Sequence, residues 1–164
     1  QEKKDPTSRE LAEYLIEKNG GHKFTLRSIW KNDVCIRHYI NKVIISRETN
    51  EEIFLKDASW YLERGLNGRK DCFSFRSENY PNDFIKYYNG FFYRQKPDGS
   101  DLFDDQASFR IAFETIDDKR GYTLESCNMP GTYLSHTNWS IVLLKKENTD
   151  PNLYLWNFDK ALYP

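Results

Sequence analysis

Cysteine is scarce in this chain, at three in 164 residues, and the odd count allows at most one internal disulfide. Cys35, Cys72 and Cys127 have none of the paired spacing of a zinc site, and no Cys and His arrangement makes a nucleophile. At least one of the three is expected to be a small buried hydrophobe. An excess of either charge is also missing: 24 Lys and Arg face 25 Asp and Glu, a net charge of −1. That leaves no basic field for nucleic acid and no polybasic patch for a membrane, so neither partner is expected. No apolar run nears the roughly eighteen residues of a membrane span, and the first residues lack the apolar centre of a signal peptide. The start at Gln1 is that expected of a mature or trimmed form.

What the chain does have is a spacing. Shifted by 49 residues it falls on itself twice without a gap. Ser28, Ser77 and Ser126 coincide, as do Phe24, Phe73 and Tyr122; Leu26, Phe75 and Leu124; Ile36, Ile85 and Leu134; and Trp60, Phe109 and Phe158. The apolar residues alternate within each copy, which is the period of strands and not of helices. Further short apolar runs at 34–36, 43–45 and 58–62, and their copies at 84–85, 91–93 and 107–111, give four strands per copy and twelve in all. Asn89-Gly90, Pro97-Asp98-Gly99 and Pro130-Gly131 are turn signals between them. Three such copies predict an all-β fold, a pseudo-threefold β-trefoil with repeats at 22–70, 71–119 and 120–164. A propeller needs more blades, and the repeats of a β-helix are shorter.

Residues 1–21 differ in character and read as a short N-terminal α-helix. Thr7 with Glu10 makes a capping box, Leu11, Tyr14 and Leu15 fall at helical spacing, Lys18 sits in the last turn, and Gly20-Gly21 stops the run. Such a helix either covers an open end of the barrel or binds a partner. Asn138-Trp139-Ser140 is a glycosylation sequon, a weak pointer to a secreted glycoprotein.

Several stretches resemble a known family. They are Ser74-Phe-Arg-Ser-Glu-Asn-Tyr-Pro81, Asp98-Gly-Ser-Asp-Leu-Phe-Asp-Asp-Gln-Ala-Ser-Phe-Arg-Ile111, Leu124-Glu-Ser-Cys-Asn-Met-Pro-Gly-Thr-Tyr-Leu-Ser-His136, Ile36-Arg-His38 and Lys56-Asp-Ala-Ser-Trp60. Over about residues 22–158 they are similar to the arabinofuranose-binding AbfB domain, also called carbohydrate-binding module family 42, whose repeats carry S-x-N-Y-P-x-x-Y-L-R-H followed by D-A-T-F. The resemblance implies a β-trefoil in which each repeat holds an arabinofuranosyl side chain around a motif His and a motif Asp. Repeat one keeps both, as His38 and Asp57; repeat two has Tyr87 and Gln106 at those offsets; repeat three has His136 but Leu155.

A carboxylate accepting two hydroxyls beside an imidazole gives directional sugar recognition with no covalent step. Aromatic rings add apolar area for the sugar's C–H face; Trp30 and Tyr39 are the expected ones in repeat one, Tyr80 and Tyr88 in repeat two. The third site, lacking its carboxylate, is expected to be weak or empty, with His136 in a structural role, and Gln106 leaves the second open. No enzyme is expected, since glycoside hydrolysis needs two facing carboxyl groups roughly 5 to 10 Å apart; Glu51-Glu52, Asp104-Asp105 and Asp117-Asp118 read as solvated turns. No metal or cofactor is expected. Two functional readings stand: a non-catalytic, extracellular glycan-binding module, or an extracellular trefoil whose loops or N-terminal helix bind a protein.

Overall fold

A computed structural model describes residues 4–164. Helix α1 spans Ser8–Asn19. Repeat one then supplies β1 (Lys23–Ser28), β2 (Val34–Tyr39), β3 (Lys42–Arg47), helix α2 (Glu52–Asp57) and β4 (Trp60–Arg64). Repeat two supplies β5 (Phe73–Ser77), β6 (Phe84–Tyr88), β7 (Phe91–Gln95), helix α3 (Asp101–Gln106) and β8 (Phe109–Ile116). Repeat three supplies β9 (Lys119–Ser126), β10 (Tyr133–Thr137), β11 (Ser140–Leu144), a 3-10 turn (Pro151–Leu153) and β12 (Trp156–Lys160).

The pairing is that of a β-trefoil. Strands β1, β4, β5, β8, β9 and β12 pair in that order and β12 closes back onto β1, a six-stranded antiparallel barrel. The hairpins β2–β3, β6–β7 and β10–β11 cap one end, and β3 bridges to both β7 and β11. Closure leaves the barrel strands without free edges. The repeated apolar positions are the core: Leu26, Phe75 and Leu124 with Ile36, Ile85 and Leu134, and Val43, Phe92 and Ile141 from the hairpins, are all essentially solvent-free. Trp60 and Trp156 anchor the same layer by donating their indole N–H to the carbonyls of Ile36 and Leu134, at 3.2 and 3.0 Å.

Helix α1 follows the expectation closely. Thr7 Oγ1 accepts from the Glu10 N–H at 3.1 Å, Glu10 Oε1 accepts from the Thr7 N–H at 3.0 Å, and Gly20 ends the helix at φ 73°. Its buried face of Leu11, Ala12 and Leu15 joins the barrel core, and the Ser8 hydroxyl accepts from the Ile111 N–H of β8 at 2.8 Å. The helix therefore covers the barrel end opposite the hairpins. Residues 1–3 of the expected N-terminal extension lie outside the described residues. None of the helices among the described residues is long and apolar enough to cross a membrane.

Three expectations are corrected. Glu52 opens α2, and Asp104 with Asp105 belongs to α3, so these acidic pairs are helical where solvated turns were expected. Acidic residues favour a helix's first turn, which explains the change for Glu52, Asp101 and Asp104. The gapless 49-residue register also fails late in repeat three. Ser59, Ser108 and Leu155 are equivalent, since their carbonyls accept from the N–H groups of Glu78, Cys127 and Ile29 at 3.2, 3.0 and 3.3 Å. Trp156, not Phe158, matches Trp60 and Phe109, and the residue matching Asp57 and Gln106 is Leu153, not Leu155. Repeat three replaces the six-residue helix with a three-residue 3-10 turn and is two residues shorter there.

Candidate saccharide site

The polar chemistry gathers at the seams between repeats. At the seam of repeats one and two, β2 turns His38 inward and α2 ends on Asp57, exposed by 2 % and 6 %. The turn after β5 closes over both. Asn79 Oδ1 lies 2.9 Å from His38 Nε2, and Asn79 Nδ2 donates to Asp57 Oδ1 at 2.8 Å. His38 Nε2 also stands 3.3 Å from Asp57 Oδ1, and Arg37 Nη2 donates to Asp57 Oδ2 at 2.9 Å. Because the Asn79 amine faces the carboxylate, its oxygen faces the imidazole, which assigns the His38 proton to Nε2. Burial lowers the His38 pKa, against the opposing pull of Asn79 and Asp57, so the ring is neutral at pH 7.

Aromatic rings bracket this array. Trp60 lies below, with its centroid 5.7 Å from that of His38, and Tyr80 stands edge-on at 5.4 Å. Tyr80 is half exposed, its ring covered by the Arg94 guanidinium at 3.6 Å, and Arg94 is held by Asp83 and the Ile40 carbonyl.

His38 and Asp57 lie together, but buried, roofed by Asn79 and paired to Arg37, so they form a closed array and not an exposed pocket. Two rings change places. Tyr80, expected in repeat two, belongs with His38, because the S-x-N-Y-P turn of one repeat reaches back to the His of the repeat before it. Trp30, expected beside His38, lies by His136 instead. Tyr39 follows His38 in the strand, so alternation turns it outward over Arg37, at 5.5 Å.

The seam of repeats three and one is built differently. His136 Nε2 lies 2.9 Å from Ser28 Oγ and 3.1 Å from the Asn152 carbonyl, and burial lowers its pKa. Trp30 stands 5.6 Å from the imidazole and Trp139 a further 5.7 Å from Trp30. Together with Ile45, Thr137, Asn138 and Leu153 they line a cavity of about 330 Å³. This site, where sugar binding was expected to be weak or absent, is an open cavity with aromatic walls.

At the seam of repeats two and three, Tyr87 packs on Phe92 at 5.5 Å, at the margin of the core, and Gln106 ends α3. Lys86 repeats the part of Arg37: its Nζ sits 4.8 Å from the Phe103 centroid, as the Arg37 guanidinium sits 4.8 Å from that of Phe54. With Gln106 replacing the carboxylate, burial lowers the Lys86 pKa, and Tyr88 lies exposed alongside, 5.0 Å from Nζ. Cys127 is bonded to Cys72 across this seam, and Cys35 is the buried free thiol, its pKa pushed up to about 12 by burial.

Arg37, Ser28, Asn79 and Trp139 are not among the site residues expected from the sequence. The signal for Asn79 is its place in the S-x-N-Y-P motif, read there only as part of its own repeat. The model of the "Alpha-L-arabinofuranosidase B (ABFB) domain" matches residues 48–153, well over half of the chain. The chain belongs to the AbfB domain family. Among curated proteins it is 31 % identical over 70 residues to a probable alpha-L-arabinofuranosidase B of Aspergillus fumigatus, covering 43 % of this chain and 13 % of that one. It is 30 % identical over 74 residues to an arabinofuranosidase/B-xylosidase of Trichoderma koningii, covering 45 % of this chain and 14 % of the other. A solved arabinofuranosidase complexed with arabinofuranosyl-alpha-1,2-xylobiose superposes with a TM-score of 0.77 at 21 % identity, over 88 % of this chain and 32 % of that one. This AbfB domain is thus similar to a small part of those enzymes, and the last comparison speaks for the fold alone.

Proposed function

We propose that this AbfB domain is a non-catalytic module that binds arabinofuranosyl side chains of a polysaccharide at the seam of repeats one and two. The observation that carries the reading is the His38–Asn79–Asp57 array. Asn79 donates to the carboxylate and accepts from the imidazole, the two roles a sugar hydroxyl plays at once. A furanose hydroxyl enters by taking over one of these bonds, with Tyr80 giving the C–H face its apolar contact. The array holds one carboxylate, ion-paired to Arg37, so it lacks the second carboxyl group that glycoside hydrolysis requires. A polysaccharide ligand and the Cys72–Cys127 disulfide both support a location outside the cell.

Affinity electrophoresis tests this: gels carrying an arabinofuranosyl-branched polysaccharide are expected to retard the folded chain, and gels carrying the same polymer stripped of branches are not. Equal mobility in the two gels would contradict it.

A further inference from the structure

We propose that the cavity between repeats three and one is a second sugar site with a changed preference, taking a pyranose ring by its C–H face in place of an arabinofuranosyl group. This rests on the reading of the domain as a carbohydrate binder.

The cavity keeps the imidazole of the first seam and loses the carboxylate and the amide that flank it there, Trp30 standing in the place of Asn79. Leu153 stands where Asp57 stands in repeat one. The Nε2 of His136 is already engaged by Ser28 and the Asn152 carbonyl. The remaining lining is the two indoles, Ile45 and Leu153, with only Thr137 and Asn138 as further polar residues. A furanose, which carries hydroxyls on both faces of a small puckered ring, leaves at least one of them unpaired against Leu153, at a cost of roughly tenfold in affinity. A β-D-pyranose chair presents its C1, C3 and C5 axial C–H groups on one flat face, the shape an indole accepts. Trp30 and Trp139 meet at 66°, a corner that holds both the face and the edge of such a ring. A volume of about 330 Å³ is at the small end for ligand sites, room for a sugar unit and not for a length of polymer.

The hairpin turn sets where the second indole stands. Asn138 and Trp139 turn β10 into β11 with φ of 49° and 67°. Repeat two fills the same two positions with Asn89 and Gly90, the usual pair for such a turn. A tryptophan at the glycine position is strained, as is Ile40 at φ 58° in the corresponding turn of repeat one, so the tight hairpin imposes the conformation. Here it holds the Trp139 ring at the cavity rim.

The test is a titration of the ¹⁵N-labelled chain with methyl β-D-galactopyranoside, methyl β-D-xylopyranoside and, separately, methyl α-L-arabinofuranoside, reading the four tryptophan indole N–H signals. At least one pyranoside is expected to shift the Trp30 and Trp139 signals saturably while the deeply buried Trp60 signal stays fixed. Trp139→Gly, which restores the turn chemistry of repeat two and so keeps the fold, is expected to weaken this binding about tenfold. Unchanged pyranoside affinity in that variant would overturn the proposal, as would a furanoside shift of the same two indoles equal to the pyranoside's. Pyranosides leaving both indoles unmoved at millimolar concentration, while the furanoside shifts residues 77–81, would end this proposal and leave the first site standing. No shift anywhere with any of the sugars would remove both.

Discussion

Arg37 and Asp57 depend on each other. The guanidinium is mostly buried, lies over Phe54, and has its nearest compensating charge in the Asp57 carboxylate at 2.9 Å. Asp57→Ala is expected to cost about 3 kcal/mol, because it leaves a largely buried cation uncompensated; urea denaturation followed by circular dichroism measures it. Asp57→Asn keeps the shape and an acceptor, and is expected to cost less. The two buried imidazoles set a pH dependence. Folding lowers the pKa of His38 and of His136, so above about pH 6.5 neither the native nor the unfolded state binds the protons, and stability is at its plateau. As pH falls below that value the unfolded chain takes up protons that the native state refuses, and stability drops by up to about 1.4 kcal/mol per pH unit for each ring. Denaturation midpoints at about pH 7.5 and 5.5 are expected to differ, and by less in a His136→Gln variant.

At the scale of elements, α1 is secured by its first turn. Thr7→Ala removes the capping hydroxyl and is expected to cost about 1 kcal/mol, seen as earlier loss of helical signal and faster amide exchange at Glu10. This helix was legible in the sequence because its cap, its apolar spacing and its glycine stop are all local. The strands were legible because the core repeats: Ile36, Ile85 and Leu134 carry one burial role, and selection of an apolar side chain there leaves a trace in each copy. Helices α2 and α3 were not legible, since six residues carry too little periodicity and each is capped by an alanine, Ala58 or Ala107, that continues the apolar run of the next strand. The displaced register had a like origin. Trp156, Phe158 and the alternation between them match the repeat at either register, and only the ladder distinguishes Leu153 from Leu155 as the partner of Asp57.

At the scale of the molecule, the sites belong to no single repeat. The family resemblance paired His38 with Asp57 because both motif positions lie in repeat one, whereas Asn79, Tyr80 and the placement of Trp30 depend on how one repeat meets the next. The Cys72–Cys127 bridge ties such a seam, between repeats two and three, across 55 residues. Replacing both cysteines with alanine is expected to cost about 4 kcal/mol by loop entropy, read as a lower denaturation midpoint, and to leave binding at the other two seams intact. The measurement that bears most directly on the account is a two-dimensional ¹H–¹⁵N titration of the chain with methyl α-L-arabinofuranoside. It is followed at the Asn79 side-chain amide and the backbone of residues 77–81, and repeated on folded Asp57→Asn. Saturable shifts of these signals, lost in the variant, are the predicted result; signals that stay still at millimolar sugar, or shift equally in the variant, would contradict the assignment of this seam as the arabinofuranose site.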